Sequence, residues 1–250
     1  MNMPTTRRLA VVAALACAAT IRADADRATP GTPEYRRQLK HLEGLLSHDP
    51  EDLRLGVQYR LLAIRGDDYE RCITFLERLT KSKMSGPNAF LTRALAYIDK
   101  VPVSGKLRRI FLARDAIHSL TLSIERRPGV VSYYIRGLVN LYFDSAPVNY
   151  LRSGVSDLQR AIELRNLADP RPYHVRLYVT LGDGYWRLHE RAEARRIWQA
   201  ALEEFPGSPE LAARLNPDNR EVARLIDRVF DSDRRVDTSL SELFSDLPSP

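Results

Sequence analysis

Residues Val175 to Pro206 read VRLYVTLGDGYWRLHERAEARRIWQAALEEFP. The apolar positions repeat with the helical period on either side of Leu188-His189-Glu190, which predicts two helices joined by a short turn. Sizes alternate in a telling way. Gly182 and Ala201 are small enough to let the two helices approach, and Ala194 does the same toward the next element. Tyr178, Tyr185 and Trp198 are large and fill the space that the small residues leave between neighbouring helices. Pro206 cannot continue a helix and closes the second one.

Tyr178, Leu181, Gly182, Tyr185, Ala194, Trp198, Ala201 and Pro206 stand at the spacing of W-x2-L-G-x2-Y, Ala, aromatic, Ala, Pro. Residues 175–206 thus resemble a tetratricopeptide repeat (TPR), with Tyr in place of the first Trp and Trp in place of the later Phe. The resemblance implies a stack of helical hairpins, each a helix A and a helix B, that binds other proteins and carries no chemistry of its own.

A repeat must recur, and this one does. Tyr35 and Tyr69 are 34 residues apart, as are Leu39 and Ile73, Leu42 and Leu76, and Leu45 and Leu79. A half repeat at 34–50 therefore precedes units at about 51–83, 87–128, 130–165 and 174–207. Leu53 to Arg65 forms a helix A, closed by the turn Gly66-Asp67-Asp68. The helix A of the third unit is SYYIRGLVNLYF, and GVSDLQRAIEL is its helix B. Two hairpins carry long inserts at 99–114 and 144–153, where a tight turn is usual. Val222, Leu225, Ile226 and Val229 give Arg220 to Phe230 one apolar stripe, which predicts a helix capping the last hairpin. The expected fold is an all-α, right-handed TPR solenoid of about four hairpins spanning residues 34–230, followed by a loose tail at 231–250 with one short amphipathic turn at Leu240 to Phe244 that could dock.

The N-terminus differs in kind. Arg7-Arg8 precede the uncharged run Leu9 to Ile21, and Ala23-Asp24-Ala25 offers a small-residue cleavage site. That order predicts a secretory signal over residues 1–25 and a periplasmic protein, an exported bacterial TPR chain. Cys17 leaves open a lipid anchor in the envelope, although Ala14 stands where a lipoprotein signal wants Leu. Membrane association is expected only through that lipid. Thr6-Arg7-Arg8 weakly resembles a twin-arginine signal.

Charge excludes little. The net charge of +6 falls to +4 without residues 1–25, too slight to argue for nucleic acid. The densest basic patch is Lys106, Arg108, Arg109 and Arg114, in the first insert. Beyond the signal, Cys72 is the sole cysteine, so no internal disulfide can form, and its small-residue register suits the core. His41, His48, His118, His174 and His189 are scattered and form no metal-ligand or catalytic spacing. No enzyme, metal site or cofactor is expected.

In a TPR the inner face is built from helix A side chains between the packing positions. Register then places Arg54, Val57, Leu61 and Arg65 of the first full unit on that face. Tyr134, Leu138, Leu141 and Tyr142 follow from the third unit, and Arg176, Val179, Asp183, Trp186 and Arg187 from the last. Aromatic and Arg side chains are enriched at protein interfaces. Arg54, Arg65, Tyr134, Tyr142, Arg176, Trp186 and Arg187 are therefore the candidate groove for a protein or peptide, one that presents an acidic residue to Arg187. In general plan the chain also resembles the periplasmic TPR component of TRAP transporters. That implies an alternative role in solute transport, presenting or enclosing a small ligand.

Overall fold

The computed structural model describes residues 29–142, 148–167, 171–231, 233–234 and 236–244. The expected signal and Cys17 lie outside these residues. Eleven α-helices and no strand occur among them: α1 Pro33–His48, α2 Leu53–Arg65, α3 Tyr69–Leu79, α4 Pro87–Lys100, α5 Lys106–Arg126, α6 Val130–Leu141, α7 Val148–Arg165, α8 Val175–Arg187, α9 Arg191–Glu204, α10 Pro209–Leu215 and α11 Asn219–Val229. Among the described residues no helix is long and apolar enough to cross a membrane.

Local chemistry sets the helix ends. The Asp52 carboxylate accepts the Leu55 N–H at 2.9 Å at the start of α2, and Asp218 accepts those of Arg220 and Glu221 at 2.8 and 2.9 Å at the start of α11. Gly86, before α4, has no side chain to cap with. Glu51, from the preceding unit, does so instead, accepting the N–H groups of Gly86, Asn88 and Ala89 at 2.8–3.1 Å. A helix start in one repeat is thereby tied to the turn of the repeat before it.

The hairpins α4–α5, α6–α7 and α8–α9 make the most extensive pairings, and each leans on its successor, giving one continuous stack. Close approach is what the small residues are for. A Cβ on Gly137 would stand 2.9 Å from the Gly154 carbonyl oxygen, and a Cβ on Gly154 the same from the Gly137 oxygen. The α6–α7 crossing is thus backbone against backbone. A Cβ on Gly182 would fall within the indole of Trp198, which is fully buried and donates its N–H to the Val179 carbonyl at 3.2 Å.

Two apolar clusters result. One runs through α1–α6 around Tyr59, Leu76, Leu95 and Leu120, and the other through α6–α11 around Leu158, Trp198, Leu211 and Ile226. Tyr134 of α6 and Val236 of the C-terminal segment pack against both. Cys72 lies in the first, where burial pushes its thiol up and out of reach of ionisation.

Three departures from the sequence reading are visible. Much of the first insert is helical: the connection is confined to a short turn near Val101–Gly105, and the remainder lengthens α5 at its N-terminus. The second insert lies partly outside the described residues, and α7 already begins at Val148. An additional helix, α10, fills the space before the capping helix, with Ser208 accepting the Leu211 N–H at 3.3 Å as its cap. As expected of the cap, α11 buries Val222 and Ile226 in the second cluster.

Candidate peptide-binding groove

Helices α2, α4, α6 and α8 present one face, and the chain's own C-terminal segment lies on it. The strongest contact is at Arg60 of α2. Its guanidinium is wholly buried, pairs with Asp99 of α4 at 2.8 Å, and donates from both Nη atoms, at 3.1 Å each, to the main-chain carbonyl of Thr238. The Thr238 hydroxyl donates in turn to the Asp99 carboxylate. Thr238, expected in a loose tail, is only 4% exposed.

The segment is held on both sides of this anchor. Asp233 pairs with Arg109, and Val236 covers the seam between the two clusters. Leu240 then packs on the first cluster, and Glu242 pairs with Arg176 of α8 at 2.6 Å. Between segment and wall a cleft of about 390 Å³ remains, bounded by Ile98, Ile110, Ile135, Val139, Tyr142 and Val236.

The candidate residues separate into groups. Tyr134 and Arg176 line the space beneath Leu240 and Glu242, and burial lifts the Tyr134 phenol above its ordinary range. Tyr142 and Arg187 grip the end of α11. The Tyr142 hydroxyl donates to the Val229 carbonyl at 3.0 Å, its ring meets Phe230 edge-on at 5.2 Å, and Arg187 stacks 4.9 Å from the same ring while donating to the Leu141 carbonyl. Burial drives the Tyr142 phenol up to about 12. Trp186 is not in the groove. It is 7% exposed, lies 5.9 Å from Trp198 inside the α8–α9 core, and has Arg191 over its ring. Arg54 is half-buried and Arg65 exposed, both on α2.

Of the apolar inner positions, Val57, Leu138, Leu141 and Val179 are buried packing residues, and Leu61 is 40% exposed. Asp183 is buried in a two-pronged pair with Arg214 of α10, at 2.5 and 2.6 Å, and burial pushes its carboxyl up against the pull of that arginine.

Arg60, Asp99 and Thr238 are not singled out by the sequence, although the short amphipathic turn expected at Leu240 to Phe244 is present as a 3-10 turn at Ser241–Phe244. Arg60 follows inner-face Val57 by three residues, so it shares that face. Asp99 ends the apolar run LTRALAYI. A charge inside an apolar helix stripe is buried only when paired, and that was the available signal. Among the described residues no three His, Cys, Asp or Glu side chains converge as a metal site would need.

No protein-family model matches the sequence, and no curated protein matches it significantly. Solved structures do. The chain is similar to TTC0263, a thermophilic TPR protein of Thermus thermophilus, with a TM-score of 0.53 and 17% identity over 73% of this chain and 89% of that one. It is also similar to MamA, with a TM-score of 0.49 and 16% identity over 74% of this chain and 90% of that one. With the hairpin geometry described above, the likeness to TTC0263 identifies the fold: the chain is a TPR α-solenoid.

Proposed function

We propose that this chain is an exported, periplasmic scaffold that holds a segment of a partner protein along the face of α2, α4, α6 and α8. The observation that carries this reading is that the face already receives a stretch of polypeptide, irregular up to Leu240 and a short 3-10 turn beyond, through a main-chain carbonyl, a hydroxyl, an apolar side chain and a carboxylate. A TPR solenoid of this kind supplies a protein-interaction surface in general. The location rests on the signal expected at residues 1–25.

A photo-crosslinking residue placed at Leu61, exposed on α2, and separately at Phe111, exposed on α5, tests the choice of face. Partner cross-links at Leu61 that map to one short stretch of the partner support the groove. Cross-links confined to Phe111 would move the interaction to the outer side of α5 and end the groove reading.

A further inference from the structure

The segment meets the groove wall with four side chains of differing chemistry. Val236, Thr238, Leu240 and Glu242 reach the groove wall; Asp237 and Ser241 are exposed but border the same pocket beside Tyr134, and Ser239 is half-buried. The segment is not a strand: Leu240 takes a left-handed φ of 53°, and Ser241–Phe244 forms a 3-10 turn that brings Glu242 to the wall. The wall meets each with matching chemistry: an apolar seam for Val236, the Asp99 carboxylate for the Thr238 hydroxyl, a pocket beside Tyr134 for Leu240, and Arg176 for Glu242.

The anchor reads backbone rather than side chain. Both Nη atoms of the wholly buried Arg60 point at a main-chain oxygen, and any residue carries one. If the segment leaves, those donors lose this acceptor in a place shut off from water, which is costly. The wall is therefore built to hold a chain. Outside the anchor the hold is weak. Arg176 and Glu242 are 41% and 42% exposed, Asp233 is 75% exposed, and the 390 Å³ cleft shows that the segment does not fill its berth. Exposed ion pairs of this kind contribute little.

We infer that residues 236–242 are an internal ligand occupying the partner's place, and that the partner is a peptide presenting the same side chains in the same order: a small aliphatic residue, then Thr or Ser, then Leu, then an acid, the last carried on a short turn. This rests on the proposed groove function and adds its specificity and its control. The tethered segment competes at an effective concentration on the order of millimolar, so a partner must bind strongly enough to displace it. Binding is thereby restricted to partners that satisfy the whole pattern.

The test uses the full chain carrying Thr238→Ala, Leu240→Ser and Glu242→Lys, which loosen the segment and leave the wall intact. The probe is a fluorescent synthetic peptide of residues 233–244. The expected result is binding at least about 10-fold tighter to the variant than to the wild-type chain, abolished when the peptide itself carries the same three substitutions. Equal binding to both chains overturns the inference, as does exchange of the segment between two copies to give a dimer. Hydrogen exchange on the wild-type chain reads the same point without substitution. Amides of 236–244 should exchange at least about 100-fold faster than those of α6, by local opening. Exchange only through global unfolding makes the segment a permanent part of the fold and overturns displacement. If the peptide fails while cross-links at Leu61 persist, the groove stands and the mimicry falls. If the peptide binds and no partner reaches Leu61, the groove function itself fails.

Discussion

Arg60 and Asp99 form an ion pair at 2.8 Å with side-chain exposures of 0% and 2%, and together they grip Thr238, whose carbonyl and hydroxyl complete the cluster. Three distant parts of the chain thus meet at one buried charge. Such a pair adds little net stability, because desolvation offsets its attraction, but breaking it strands a charge. Asp99→Ala is expected to destabilise by about 3–5 kcal/mol in urea unfolding. The double variant Arg60→Met/Asp99→Leu is expected to lie within about 1 kcal/mol of wild type, or above it. It should nonetheless free residues 236–244 to limited proteolysis, since nothing then holds the Thr238 carbonyl. A double variant as unstable as Asp99→Ala would mean that the pair itself stabilises the fold.

Trp198 carries the packing of the last hairpin. It is fully buried, lies against Gly182 and Trp186, and satisfies its N–H on the Val179 carbonyl. Trp198→Ala leaves a large cavity and is expected to cost about 3–5 kcal/mol. Gly182→Leu should also destabilise, because no rearrangement short of moving the indole makes room. Melting temperatures within a degree of wild type for either variant would contradict this packing.

The distinction between what could be read in the sequence and what could not follows the range of the interactions. Helix α2 is bounded by Asp52 and Gly66, and its limits, Leu53 and Arg65, were legible because caps are local. The Trp198 core was legible because small and large residues alternate within one hairpin. Helix α10 carried a readable start, Ser208 followed by Pro209, that the repeat pattern overshadowed. The added turns of α5 were hidden by the usual TPR length, which places the helix start later. Trp186 reads as a groove residue because the repeat signature does not use it, yet the space beside Trp198 takes it. The amphipathic turn at Leu240 to Phe244 was legible, but where Thr238 docks had no local signal. Thr238 meets partners 139 and 178 residues away, and its own neighbours are polar.

The turns of the first and last full hairpins share one geometry. Asp67 and His189 have φ of 58° and 63°, and the next residue's N–H closes the turn onto Ala63 and Tyr185 respectively, at 2.9 Å each. This is the left-handed helix C-terminus that glycine adopts without a Cβ clash. His189 is exposed, so little packing is lost by removing its side chain. His189→Gly is expected to stabilise by about 1 kcal/mol, seen as a rise in melting temperature of a few degrees. A fall would show that the imidazole contributes something the turn geometry does not account for.

One histidine should add its own acid sensitivity to the fold. His174 is buried, while His41, His48, His118 and His189 are exposed. Its Nδ1 accepts hydrogen bonds from the Arg165 side chain at 3.2 Å and the Arg171 N–H at 3.0 Å, so that nitrogen must stay unprotonated. Burial, then the charges of Arg165 and Arg171, hold its pKa below the ordinary 6.5. The sign follows directly. Between the lowered folded value and about 6.5 the unfolded chain binds the proton and the folded chain resists it, so stability rises with pH there. On acidification the loss begins near pH 6.5 and stops below the folded pKa, with a slope of at most about 1.4 kcal/mol per pH unit. His174→Asn keeps a hydrogen-bond acceptor near the same place and cannot titrate. Urea unfolding of both proteins from pH 7.5 to 5 should give curves that diverge only below about 6.5, with wild type falling more steeply. Parallel curves across that range would show that His174 is protonated in the folded chain as readily as in the unfolded one, and that the two donors facing it do not hold it neutral.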